Sequence, residues 1–397
     1  MSITVTPWRD KLIQTRFLPI IFRGRLRLSA IPSEPGENYP VDAIADAKLV
    51  EIVNSRFDPD RASLISAVFG TPDFIPFSFL ELGLRRGAAV CRLVQDFSDS
   101  TGKDLVEAIF ELEKQLENQS KDKIFLRPEL EEIFSMSEKG QDFAENFFQG
   151  VDEARPSNAL KDTERFRKLL PIPVATGFLV GSSYLMTNNH VLPSKEVCDE
   201  CIAEFGYDQD VLGRKISPIQ YKLDSEGFFE TNEELDYTLV KLQDRPQDIK
   251  LSNLGKAGYY FGWITLDEKS INIAPPIDDK KVAELQAKGF QLKIPQGQSM
   301  EGEPVNIIQH PKGKRKQVIL SSNRVTNIYE KFIQYQADAD FSSSGSPVFN
   351  QQWELVALHH AAVAKTKDDS TLEIEVEQGI RTCEIVKDLK KKKKTIK

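Results

Sequence analysis

The sequence predicts a mostly β domain of short antiparallel strands, a sandwich or a pair of packed barrels, over residues 171–389, behind an α-helical N-terminal region. Three observations predict it. After Phe166, short runs of β-branched and aromatic residues alternate with Gly, Pro, Asn and Asp, as half-buried strands and their turns require. Before that point, from Ala43 to about Phe148, apolar residues recur at helical spacing. The 397 residues also exceed the roughly 100–200 that usually share one core, which implies two units.

Taken in order, residues 1–40 form an N-terminal extension, 41–120 a helical domain and 121–170 a helical connector. In 41–120, Leu49, Ile52, Val53 and Phe57 fall on one helical face, as do Val90, Leu93, Val94 and Phe97, and Leu105, Ile109, Leu112 and Leu116. Ser100 or Thr101 offers a hydroxyl to the first free amides of the third helix. Pro128 followed by Glu129 opens another helix, where proline loses no hydrogen bond. The stretch from Phe74 to Val94 has a second reading, as a leader that packs on the β domain. The strands expected are Gly177 to Val180, Tyr184 to Thr187, Tyr237 to Leu242, Val305 to Ile308, Phe332 to Gln336 and Leu355 to Leu358. A helix over Glu384 to Leu389 closes the domain, and residues 390–397 form a basic tail whose lysines repel one another and stay solvated.

Composition excludes several classes of function. A net charge of −8 argues against broad nucleic-acid binding, which needs clustered cations to displace phosphate counterions. No apolar run approaches the ~20 residues that span a bilayer, and Phe17 to Phe22 is broken by Pro19, so neither membrane insertion nor an export signal is expected. Four cysteines, Cys91, Cys198, Cys201 and Cys383, are too scattered for a disulfide framework and fit reduced thiols in the cytoplasm. Cys198 and Cys201 form half of a zinc motif with no second pair, so no metal and no cofactor are expected.

Three segments carry chemistry. Nucleophilic cleavage by serine needs a base beside the hydroxyl, a carboxylate that orients the base, and amide donors for the developing oxyanion. His190 sits in Met186-Thr187-Asn188-Asn189-His190-Val191, just after an apolar run. Asp236 opens the apolar strand Tyr237-Thr238-Leu239-Val240, and Ser344 sits in Ser342-Ser343-Ser344-Gly345-Ser346-Pro347.

With these motifs in this order, the sequence resembles the trypsin-like peptidases of chymotrypsin fold, whose histidine lies in a T-A-A-H-like turn and whose nucleophile lies in G-x-S-G-[GS]-P. Bacterial members are also similar at Gly177-Phe178-Leu179-Val180, at Ile308-Gln309-His310-Pro311-Lys312-Gly313 and at Leu358-His359-His360-Ala361. The likeness covers about 172–389. It implies a double-barrel endopeptidase acting on protein or peptide substrates, with Ser344 as nucleophile, His190 as base and then acid, and Asp236 orienting the imidazole. It also implies an oxyanion hole from the amides of Ser342 and Ser344. Position 342 departs from the family's glycine, and Ser343 stands where digestive members carry the aspartate of zymogen activation. The competing reading is therefore a protease-fold scaffold that binds partners without useful turnover.

The resemblance places Asp338 where a basic-side-chain pocket has its carboxylate, and His359 where glutamyl endopeptidases bind an acidic side chain. Basic specificity is the expectation, because a buried carboxylate needs a cationic partner. Ala47 to Phe69 with Leu105 to Leu116 resembles, more faintly, the helical effector-associated domains joined to such peptidases in bacterial signalling and defence. A protein partner on the helical region follows from that likeness.

Overall fold

The computed structural model describes residues 46–56, 76–95, 172–199, 201–268, 273–292, 301–320, 323–337, 343–366 and 372–393. The helices expected at Ser100 to Leu116 and after Pro128 lie outside them, as do the extension 1–40 and the whole connector 121–170.

Six antiparallel strands close the first barrel: β1 Val90–Gln95, β2 Ile172–Leu179, β3 Tyr184–Thr187, β4 Cys201–Phe205, β5 Ile219–Asn232 and β6 Tyr237–Leu242, in the order β1-β2-β3-β6-β5-β4. Leu93, Phe178, Leu179, Leu185, Phe205, Tyr221 and Leu239 are fully buried within it. Strand β5 is interrupted. Asp224 pairs with Lys241 and Phe229 with Val240, so Ser225 to Phe228 stand outside the ladder, and the Asp224 carboxylate accepts from the Gly227 amide to close the excursion.

Strand β1 corrects the sequence reading. Val90, Leu93 and Val94 are not one face of an amphipathic helix, because Cys91 between them is equally buried and the segment pairs with β2 on one side and β4 on the other. Both edges and both faces of this strand are covered, so its apolar residues need no alternation and mimic helical spacing by chance. Arg92 fastens the strand further. Its guanidinium grips Glu204 on β4 at 2.5 Å, reaches the Gly313 carbonyl at 2.8 Å and lies 3.4 Å over the Tyr207 ring.

The helix before β1, labelled α2, spans Ser78–Ala88, and α1 spans Asp46–Arg56. Helix α2 packs by Phe79 on Trp353, with ring centroids 5.0 Å apart, and Arg86 donates to the Trp353 carbonyl. A Cβ at Gly83 would lie 2.6 Å from the Trp353 ring, so only glycine lets the helix sit this close. Helix α1 buries Leu49 and Val50 in the core of the second half, and its Asp46 pairs with Lys281 and Lys288. The described parts of 41–120 thus belong to the cores of the β domain. Of the two readings of Phe74 to Val94, the packed leader is the one observed for its described residues.

The second half is a seven-stranded antiparallel sheet of β7 Asn306–Gln309, β8 Gln317–Ile319, β9 Val325–Ile328, β10 Phe332–Tyr335, β11 Pro347–Phe349, β12 Leu355–Thr366 and β13 Leu372–Arg381, in the order β8-β7-β11-β12-β13-β10-β9. It curls back on itself. The amide of Val305 bonds the Asn323 carbonyl at 2.8 Å and that of Val325 bonds Glu303 at 2.9 Å, joining the approaches to β7 and β9. The two halves make the double-barrel architecture expected from the sequence.

Three short helices, α3 Lys195–Asp199, α4 Ala257–Phe261 and α5 Asp279–Ala287, decorate the connections, and α6 Thr382–Lys391 closes the described chain. Helix α6 runs past its expected end at Leu389 and takes in the first lysines of the predicted tail. Lys390 pairs with Glu268, and Lys392 at the C-cap pairs with Glu230 at 2.8 Å and Asp388 at 2.9 Å. Cations at a helix C-terminus are favoured by its partial negative charge, and these acidic neighbours offset the mutual repulsion. Among the described residues, no helix is long and apolar enough to cross a membrane. All four cysteines are free and buried.

Candidate active site

His190 follows β3 on a tight turn in which the amides of Val191 and Leu192 both reach back to the Asn188 carbonyl. The Asn188 side chain donates 3.0 Å to the Asp236 carbonyl, Asn189 donates to Thr231, and Thr238 donates to the Leu192 carbonyl. The histidine turn is therefore held to the end of β5 and the start of β6. Asp236 itself has φ +41°, a left-handed conformation that few non-glycine residues adopt and that aspartate, like asparagine, tolerates better than most. Such strain costs about 1–3 kcal/mol and persists where neighbours over-determine it.

The gain from that strain is visible in the carboxylate. Asp236 Oδ1 accepts the His190 amide at 2.9 Å, and Oδ2 lies 2.8 Å from His190 Nδ1. Aspartate has no hydrogen to donate when ionised, so His190 carries a proton on Nδ1. Burial pushes the Asp236 carboxyl upward, but the His190 and His360 imidazoles beside it outweigh burial and hold it well below the usual carboxylate range.

Ser344 comes from the second half, half-buried at the tip of the turn before β11. Ser346 closes the turn by donating from its amide and its hydroxyl to the Ser343 carbonyl, at 3.0 and 2.6 Å. Gly345 adopts φ +84°, and a Cβ there would lie 2.1 Å from the Thr176 carbonyl oxygen and 2.3 Å from Thr187 Oγ1. Glycine is required on both counts.

Thr176 of β2 connects the two loops. Its amide donates to the Ser344 carbonyl at 2.9 Å, its carbonyl accepts from Thr187 Oγ1 at 2.9 Å, and its hydroxyl accepts the His310 amide at 3.0 Å. The strand leading to His190, the loop bearing Ser344 and the end of β7 thus meet at one residue. Sequence reasoning passed over Thr176 because a threonine in a strand has an ordinary β propensity and nothing local marks its three partners.

His359 lies on β12 beside the serine turn. Its carbonyl accepts from the Gly345 amide at 3.0 Å, and its amide donates to the Ser346 carbonyl at 2.9 Å. Its ring is buried, with Nδ1 2.7 Å from the Tyr335 hydroxyl and Nε2 3.8 Å from the Glu377 carboxylate. Burial, with His360 and His190 nearby, lowers its pKa to about 3. Asp338 and Ser342 lie outside the described residues. His360, one position on, was not singled out from the sequence, yet it places Nδ1 2.8 Å from the same Asp236 oxygen as His190. The only local signal was its adjacency to His359, and a side chain one step along a regular strand points to the opposite face.

Residues 175–358 match the family described as a trypsin-like peptidase domain. An uncharacterized protein of Sinorhizobium fredii, y4fB, is 31% identical over 209 residues, which is 49% of this chain and 27% of that protein. The chain therefore spans about a quarter of that relative's length. Among solved structures, a Glu endopeptidase in complex with MPD is 14% identical and covers 55% of this chain and 85% of its own, with a TM-score of 0.34. The inactive form of the Rv3671c protease is 11% identical and covers 55% of this chain and 82% of its own, with a TM-score of 0.30.

Proposed function

We propose that the protein is an active serine endopeptidase with Ser344, His190 and Asp236 as its catalytic triad. The observation that carries this reading is the pair of contacts from Asp236 to His190, on the amide and on Nδ1, which fixes the imidazole with a basic Nε2. Ser344 Oγ attacks the scissile carbonyl carbon while its proton passes to His190 Nε2. The imidazolium formed is stabilised by Asp236, and the amides of Ser342 and Ser344 receive the oxyanion. Collapse expels the amine, which takes the proton from His190, and water then attacks the acyl-enzyme by the same base.

Cleavage after Arg or Lys is the specificity we assign, with Asp338 as the pocket carboxylate. Two features of His359 favour this over acidic specificity. A ring whose pKa is about 3 is neutral at neutral pH and supplies no cation for a substrate carboxylate. The Glu377 carboxylate beside its Nε2 would also repel one. The N-terminal region, in this proposal, recruits partners or controls access in a bacterial signalling or defence setting, and α1 and α2 give a partner bound there a direct mechanical route to both cores. Profiling on a peptide library tests specificity. Cleavage after Arg and Lys, reduced at least tenfold for these residues in Asp338→Ser, is expected; cleavage after Glu, weakened in His359→Ala, would overturn it.

A further inference from the structure

We propose that His360 is a positioning residue, a second imidazole on Asp236 that locks the base-bearing barrel to the nucleophile-bearing sheet. The inference rests on the peptidase reading above. His360 Nδ1 lies 2.8 Å from Asp236 Oδ2, the oxygen that His190 Nδ1 also approaches at 2.8 Å. Asp236 and His190 belong to the first barrel, whereas His360 belongs to β12 of the second half. The contact crosses between them.

The backbone explains how His360 reaches so far. Along β12, His359 pairs with Gly379 and Ala361 pairs with Gln378, so His360 is an extra residue without a partner in that ladder. A bulge of this kind breaks the strict alternation of side chains and re-aims one of them. Here it sends the rings of consecutive residues to separate tasks. His359 turns to Tyr335 and Glu377, and His360 turns to Asp236, with its ring stacked on Phe332 at 6.0 Å and 18°.

The neighbouring peptide makes this a matter of position. The same turn of chain that presents His360 to Asp236 brackets the nucleophile loop, through Gly345 N–H to the His359 carbonyl and His359 N–H to the Ser346 carbonyl. Anything that displaces Asp236 relative to β12 therefore displaces His190 relative to Ser344. The ionised carboxylate accepts from both rings, so His360 carries its proton on Nδ1. Its Nε2 is buried with no hydrogen-bond partner among the described residues, so the bond to Asp236 is the polar contact that orients the ring.

Two substitutions separate orientation from packing. His360→Phe keeps the stacked ring and deletes the donor; His360→Asn deletes the ring and retains an N–H at the position of Nδ1. The proposal expects kcat to fall about 10–100-fold in His360→Phe with KM within about threefold, since misplacement of a catalytic group acts on the chemical step. His360→Asn should recover at least about tenfold of that loss. The reverse order, or no effect of either change, would mean that the ring only fills space, and would overturn the proposal. An independent readout needs no turnover. With ¹⁵N-labelled histidine, the full chain should show low-field Nδ1 proton resonances assigned to His190 and to His360, beside that of His310, whose Nδ1 donates to the Lys314 carbonyl at 2.9 Å, and His360→Asn should lose the one assigned to His360. A spectrum that loses a low-field resonance in His190→Ala and none in His360→Asn overturns the proposal whatever the activity. The His190 and His360 resonances without turnover would leave the contact standing and remove the peptidase reading instead.

Discussion

A chain shortened to begin at residue 162 should not fold, although the matched peptidase region, 175–358, would remain whole. The shortening removes β1, which lies between β2 and β4 and closes the barrel. Val90, Cys91, Leu93 and Val94 are all fully buried there. At about 1.5–3 kcal/mol for each fully buried apolar side chain, the three aliphatic residues alone contribute about 5–9 kcal/mol. Domains are stable by about 5–15 kcal/mol in all, so this loss is comparable with the whole. The loss also leaves the facing edges of β2 and β4 without their ladder partners, an invitation to aggregation. Circular dichroism and size exclusion of the shortened chain report the first effect. Adding a peptide of residues 76–96 should restore native ellipticity, because it supplies α2 and β1 together. Within the full chain, Leu93→Ala should cost about 2–5 kcal/mol in urea unfolding. A shortened chain that is monomeric, folded and as stable as the full one would refute the assignment of β1 to the barrel.

Acid should destabilise the fold well above the carboxylate range. Burial holds His310 well below its ordinary pKa and His359 at about 3. Between pH ~6.5 and pH ~3 the unfolded chain binds a proton that folded His359 refuses, so stability falls by about 1.4 kcal/mol per pH unit as the pH drops, and His310 acts in the same direction. At pH 5 His359 costs about 2 kcal/mol, and His359→Asn should shrink the difference between urea unfolding at pH 7 and pH 5 by about that amount. A flat profile over that interval would contradict the burial of both rings. Gly345→Ala should reduce activity by about 100-fold or more, since its Cβ would force the Ser344 turn off Thr176. Adding Thr187→Ala should not restore it, because the Thr176 carbonyl, 2.1 Å from the new Cβ, remains.

Much of the fold could be read locally, because most strands of the β region are short apolar runs between turn residues. Tyr184–Thr187 and Tyr237–Leu242 are observed with the bounds expected, and Phe332–Tyr335 ends one residue early. Strand β5 escaped notice because its outer face is polar and Gly227 interrupts it. Strand β1 was misread because burial on all sides erases the period of two, and because its partners β2 and β4 lie far along the chain. The residues proposed as the triad stood out because Ser344, His190 and Asp236 each sit in a short motif of limited composition. The contacts of Thr176 and His360 are set by tertiary register and by a β-bulge, neither of which leaves a mark in adjacent residues.

The central claim is that Ser344 is a nucleophile activated by His190, and reaction with a fluorophosphonate probe tests it most directly, since only an activated serine forms the adduct readily. Mass mapping of the labelled full chain should place a single phosphonyl group on Ser344. Labelling should vanish in Ser344→Ala and slow by about 10³-fold or more in His190→Ala, with both variants melting near the wild type. No adduct in the wild type, or an adduct on Ser342, Ser343 or Ser346 that survives Ser344→Ala, would contradict it.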